Sequence, residues 1–191
     1  ATLIQKMIEC ESYGIPYQLT REPVRLFSQV LSLINLKANG YIPDESLRYI
    51  QPDVNDYYSE SPHSKLRIQF SSCYKYLLHL YPKDAVLKQN ISLIARYGSS
   101  RIIAAYEHAR KHKATKFAII LGTAHSTKGL EFDEVTLADD LNESLDDIIS
   151  NFRTDPTYSP SVNERTELNL YYVACSRARK FILNARHLPG Q

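Results

Sequence analysis

The sequence predicts an α/β chain in which a parallel sheet is interrupted by an all-helical insertion. Three observations lead there. Residues 1–36 and 114–191 alternate short apolar runs with helical periodicity, the pattern of parallel strands joined by helical crossovers. Residues 37–113 between them carry only helical periodicity after an irregular start. Finally, 43% of the 191 residues are apolar, enough for a packed core rather than a disordered chain.

The elements follow in order. Leu3, Ile4, Met7 and Ile8 fall at helical spacing and Gly14 stops that helix. The segment IPYQL (15–19) reads as a short strand. A helix over 22–36 lines up Val24, Phe27, Val30, Leu31 and Ile34 on one face, with Pro23 in the tolerated first turn. Gly40, Pro43 and the stretch PDVNDYYSESPHS (52–64) mark irregular connections. Amphipathic helices are expected over 64–81, 83–97 and 99–113, separated by Pro82 and Gly98. KFAIILGTA (116–124) reads as a buried strand, DEVTLAD (133–139) as another, 142–151 as a helix and RTDPTYSPSVN (153–163) as an exposed loop. A helix over 164–180 and a strand FILNA (181–185) complete the pattern. The chain opens on Ala1, already inside helical periodicity, so a piece of a longer polypeptide is expected.

Bulk properties narrow the classes. No apolar run is long enough to cross a bilayer and no secretory signal opens the sequence. Cys10, Cys73 and Cys175 are odd in number and far apart, which suits reduced thiols in a cytosolic protein better than a disulfide framework or a zinc site. A net charge of +2 decides nothing about nucleic acid, because such contacts depend on local patches.

Chemistry concentrates in ILGTAHSTKGLEFDEV (120–135). In an open parallel sheet, ligands bind beyond the carboxyl ends of the strands, which is where the loop after FAIILG falls. Gly129 permits a positive φ or a close backbone approach. Lys128 and His125 can donate to phosphate oxygens, and Glu131 can accept from a sugar hydroxyl. The loop is not a Walker A phosphate cradle, since Lys128 precedes Gly129 instead of following it. On composition alone, an ordinary strand-to-helix turn explains it as well.

A second stretch, ELNLYYVACSRARKFIL (167–183), gives the first a context. Thr123-Ala124-His125-Ser126-Thr127-Lys128-Gly129-Leu130-Glu131-Phe132 and Leu170-Tyr171-Tyr172-Val173-Ala174-Cys175-Ser176-Arg177-Ala178 resemble motifs V and VI of the superfamily 1 DNA helicases of the UvrD, Rep and PcrA type. They stand in the family's order, each on the expected element, and GIPY (14–17) fits the position after motif IV. The wording of both stretches most resembles the F-box DNA helicase branch. The resemblance implies a RecA-like parallel sheet, the P-loop NTPase-like second domain called 2A, from residues 1–36 and 114–191. Residues 37–113 then stand in place of the family's 2B insertion, in reduced form.

In such helicases two RecA-like domains sandwich ATP. The resemblance puts the phosphate loop and the Mg2+ ligands on the other domain, outside these residues, so the fragment alone is expected to be inactive. Arg177 matches the arginine finger that meets the γ-phosphate, where a planar, permanently charged group suits developing charge. Glu131 matches the acceptor from the ATP ribose, with Gly129 shaping its loop. His125 matches a contact to the single-stranded DNA backbone, Thr123 adds to it, and Lys128 couples the nucleotide and DNA sites. The alternatives are a surface arginine at a helix end, a solvent-facing carboxylate, and an imidazole bonded within its own loop.

The implied activity is ATP-dependent 3′-to-5′ translocation and unwinding. The implied partners are single-stranded DNA and the N-terminal helicase domains of the same polypeptide, with no membrane; the compartment is the nucleoid or the nucleus, according to organism. A 5′-to-3′ superfamily 1 helicase would favour Lys-Ser-Gln-Gly where this chain has STKGLEF. A catalytically silent RecA-like module binding DNA or protein is the rival from another class, and a helicase–nuclease would need a further domain. The chain departs from the family where Leu168 and Asn169, after Glu167, replace a basic pair; the motif IV arginine falls before Ala1.

Other features read as structural. His108 and His112, with Arg110, Lys111 and Lys113, form a solvated basic face rather than a metal site. Asp139 and Asp140 suit helix capping. Arg179 and Lys180 are expected to be solvated at a helix C-terminus. Seven tyrosines between 41 and 81 are expected to fill a helical core in preference to stacking on bases.

Overall fold

The computed structural model describes residues 1–39, 57–58, 69–111 and 119–187. It is α/β, with helices and short strands, and divides into two compact units, Leu3–Ile120 and Leu121–Gln191.

The first unit is mainly helical. Helix α1 (Thr2–Ser12) buries Ile4, Met7, Ile8 and Cys10, and Gly14, at φ +64°, turns the chain out of it. Strand β1 (Tyr17–Leu19) pairs with β2 (Ile119–Leu121). Helix α2 (Pro23–Asn39) buries Phe27, Val30 and Ile34, as its periodicity requires, together with Leu33 and Leu36. Val24, expected on that face, is 55% exposed, because it occupies the first turn of the helix.

Three more helices are described in the unit: α3 (Cys73–Leu80), α4 (Ala85–Tyr97) and α5 (Ser99–Lys111). Helix α2 packs on α4 and α5. Of the expected helix over 64–81, residues 64–68 lie outside the described residues and Gln69 is helical, but α3 starts only at Cys73, where Ser72 is extended and its hydroxyl accepts from Lys75 N. Asp84 caps α4 in the same way, and Gly98 at φ +77° ends it. Of the seven tyrosines, Tyr57, Tyr74 and Tyr76 are buried. Tyr57 stacks on Tyr76 at 5.4 Å, and Tyr74 donates to Leu33 O at 2.7 Å; Tyr41 and Tyr49 lie outside the described residues.

One expectation fails here. The strand from KFAIILGTA is not buried: Ile119 and Ile120 are each 37% exposed. Residues 116–118 of that stretch lie outside the described residues; among the described residues its sheet has two strands, so apolar composition does not by itself bring a cover.

The second unit holds the parallel pair β3 (Phe132–Thr136) and β4 (Ala178–Leu183) with α6 (Asp139–Thr154) and α7 (Val162–Cys175). Its core is Leu137, Leu145, Ile148, Tyr171 and Ala174, flanked by Val135 and Ile182 from the strands. Ser161 and Glu164 form a capping box that starts α7. Asp139 and Asp140 occupy the first turn of α6; the cap position itself is Ala138, without a side-chain bond, but Asp140 Oδ1 accepts from Leu141 N at 3.0 Å, so the acids serve the helix start from within its first turn. Asn142 is fully buried on α6. It donates to Asn184 O at 2.7 Å and accepts from Arg186 N at 3.0 Å and Tyr171 Oη at 3.3 Å.

Helix α7 stops at Cys175, five residues before the predicted end, and Ala178 already opens β4. Arg179 and Lys180 are therefore exposed strand residues, not helix-terminal charges. Both pair with Asp133 of β3, at 2.6 and 2.8 Å. Adjacent strand residues ordinarily face opposite ways. Here the register places Phe132 opposite Ala178 but Glu134 opposite Phe181, and the extra residue in β4 lets both cations reach one carboxylate.

Candidate functional site

The loop from Thr123 to Leu130 is held by its own hydroxyls. Ser126 Oγ accepts from Thr123 N at 2.9 Å and donates to Thr123 O at 3.0 Å. Thr123 Oγ1 accepts from Ser126 N at 3.2 Å, and Thr127 Oγ1 donates to Thr123 O at 3.1 Å. Short hydroxyl side chains stabilise turns in this way. Thr123 is thus engaged as a brace of the loop. Ser126 was missed as a site residue, although a Ser/Thr pair three apart before Lys-Gly is a legible turn signal.

At the far end, Leu130 N donates to Thr127 O at 3.0 Å, and Gly129 has φ +86°, a conformation an L side chain resists. The turn delivers Glu131 to the amino end of β3. The loop begins at the carboxyl end of β2, where strand-end logic puts a ligand, but its tip meets the amino ends of β3 and β4.

His125, Lys128 and Glu131 are exposed. Among the described residues none of the three side chains has a hydrogen bond or ion pair, so the imidazole is not bonded within its loop. Asp133, two residues on, is the opposite case. Hydrogen bonds from Lys180, then Arg179, hold its carboxyl below the ordinary aspartate range.

Arg177 comes to the same tip from the other motif. The first rung of the β3–β4 pair is Phe132 N donating to Arg177 O at 2.8 Å. The guanidinium donates through Nη1 to Leu130 O at 3.3 Å, bridging 47 positions of sequence. Nε donates to Val173 O at 3.0 Å and Nη2 to Ser176 Oγ at 2.8 Å. The structure therefore brings Gly129, Glu131 and Arg177 to one edge, with Lys128 beside them and His125 on the same loop. This arrangement can offer donors to an anion and an acceptor to a hydroxyl.

The features set aside are accounted for by packing. His108 Nδ1 lies 3.1 Å from Glu11 Oε1, while His112 is outside the described residues. Arg110 and Lys111 both reach Glu107, at 3.6 and 3.5 Å. Among the described residues no three His, Cys, Asp or Glu side chains gather as a metal site, and no helix is long and apolar enough to cross a membrane. Cys10, Cys73 and Cys175 are free thiols.

Residues 93–184 match the UvrD-like helicase C-terminal domain. Both motif stretches lie inside that match, so the likeness to a UvrD-like helicase C-terminal domain takes in just under half of the chain and includes both. F-box DNA helicase 1 of Gallus gallus is 38% identical to the chain over 107 residues. The match takes in 55% of this chain and 10% of that protein. No solved structure matches the chain.

Proposed function

We propose that the chain supplies the second, RecA-like domain of an ATP-dependent DNA helicase that moves 3′ to 5′ on single-stranded DNA. Residues 1–36 and 114–191 make up domain 2A in this reading, and residues 37–113 a reduced 2B-like insertion. The phosphate loop and the Mg2+ ligands come from N-terminal helicase domains of the same polypeptide. Arg177 stabilises charge on the transferred γ-phosphoryl group. Glu131 accepts from the ribose, and Gly129 sets the turn that presents it. His125, on the loop that Thr123 braces, meets the DNA phosphate backbone, and Lys128 links the two ligands.

The observation that carries this reading is the 3.3 Å contact between Arg177 Nη1 and Leu130 O. It supports the reading because Arg177 then touches the turn that leads into Glu131, as residues sharing one nucleotide would need. The test is ATP hydrolysis by the whole helicase polypeptide with Arg177→Ala. Turnover is expected to fall about 10³-fold or more, with the fold retained, and Arg177→Lys should recover only a small part because it lacks the planar fork. Undiminished hydrolysis by Arg177→Ala would remove the role.

A further inference from the structure

Arg177 leaves the end of α7 with three of its five N–H groups already bonded. The acceptors are Val173 O, Leu130 O and Ser176 Oγ. Two are backbone oxygens fixed by a helix and a turn. The third is a side chain, yet it is fixed as well. Ser176 Oγ donates its one hydrogen to Val173 O at 2.9 Å, which leaves its lone pairs for Arg177 Nη2.

A guanidinium is a rigid plane. Contacts at Nε and Nη1 alone would let it swing about the line joining them; the contact at Nη2 stops that swing. One N–H on each terminal nitrogen remains without a partner among the described residues, the pair a phosphoryl oxygen set can use.

We propose that Ser176 is a positioning residue, its hydroxyl anchored on α7 and setting the plane in which Arg177 presents those two N–H groups. The Leu130 carbonyl ties the same plane to the Lys128–Glu131 turn, so a shift of that turn moves the guanidinium with it. The functional half of this inference rests on the finger role given to Arg177 above.

Two measurements test it. In the 191-residue chain, nitrogen-15 relaxation at Arg177 Nε reads the tether without nucleotide or DNA. Ser176→Ala is expected to lower the Nε–H order parameter, and Ser176→Thr, which keeps the hydroxyl, to restore it. Equal order parameters in the parent chain and Ser176→Ala overturn the inference.

In the whole helicase polypeptide, Ser176→Ala should lower kcat for ATP hydrolysis about five- to tenfold, the size of one partly exposed bond to a charged group. KM for ATP should stay put, and Ser176→Thr should recover kcat. Arg177→Ala, run in parallel, separates the two ideas. Intact turnover there sinks the finger role; turnover lost there but unchanged in Ser176→Ala sinks the positioning role alone.

Discussion

Gly129→Ala isolates what the backbone of the loop costs to hold. Gly129 has φ +86°, and a Cβ built there would meet no atom within 4 Å. The penalty is therefore torsional and not steric, about 1–2 kcal/mol for an L residue in the left-handed region. Alanine also stiffens the unfolded chain, which returns about 0.4–1 kcal/mol. The net expectation is a loss of about 1 kcal/mol. Asparagine tolerates this region better, so Gly129→Asn should lose less.

Urea unfolding of the 191-residue chain measures both, with the m-value expected to stay constant. Gly98→Ala serves as an internal reference. It too faces open space, but its φ +77°, ψ 155° lies where essentially only glycine is found, so it should cost more than Gly129→Ala. A Gly129→Ala chain more stable than the parent would refute the torsional argument. A loss above about 3 kcal/mol would refute it from the other side, since the strain of one residue is not that large.

Two further outcomes follow from the second unit. Asn142→Ala strips partners from Asn184 O, Arg186 N and Tyr171 Oη at a fully buried position, and should cost about 3 kcal/mol in denaturant unfolding; a loss under about 1 kcal/mol would mean that water or rearrangement satisfies those groups. Asp133 has its pKa depressed by Lys180 first and Arg179 second. Its ion pairs therefore contribute fully above the unfolded aspartate value and are lost as pH falls through the lower folded one. Carboxyl NMR titration should show that midpoint rising more in Lys180→Ala than in Arg179→Ala, and moving toward the ordinary value with salt; a midpoint indifferent to Lys180 would dismiss the pairing.

What sequence reading reached, and what it missed, divides along the range of the forces involved. Gly14 and Gly98 end helices through local backbone geometry, and a local pattern records them. The loop of His125, Lys128, Gly129 and Glu131 was legible because turn chemistry and reactive groups share one short stretch. Arg179 and Lys180 misled, because nothing local says that the chain becomes a strand at Ala178. Their partner Asp133 is 46 and 47 positions away. Ile119 and Ile120 misled because apolar character reports a tendency to be covered, not the presence of a cover. Ser176 was read only as part of a motif, since its bonding depends on where the Arg177 side chain comes to lie.

The register of β3 on β4 joins the core to the site. Phe132 N on Arg177 O and Leu137 N on Leu183 O are bonds at either end of the pair. Between them Val135 and Ile182, opposite one another, turn toward the core of the unit. Moving β4 by one residue would carry Arg177 about 3.3 Å along the strand and exchange its faces. The guanidinium would leave Leu130, and Ile182 would leave the core in the same step. Asp133 adds a further penalty, because its two cations reach it only where β4 holds its extra residue. Slippage is opposed by apolar burial on one side and by charge pairing at the exposed edge. The meeting of Arg177 with the Glu131 turn is therefore maintained by residues that touch neither, and substitutions at Val135 or Ile182 should disturb the site before they unfold the chain.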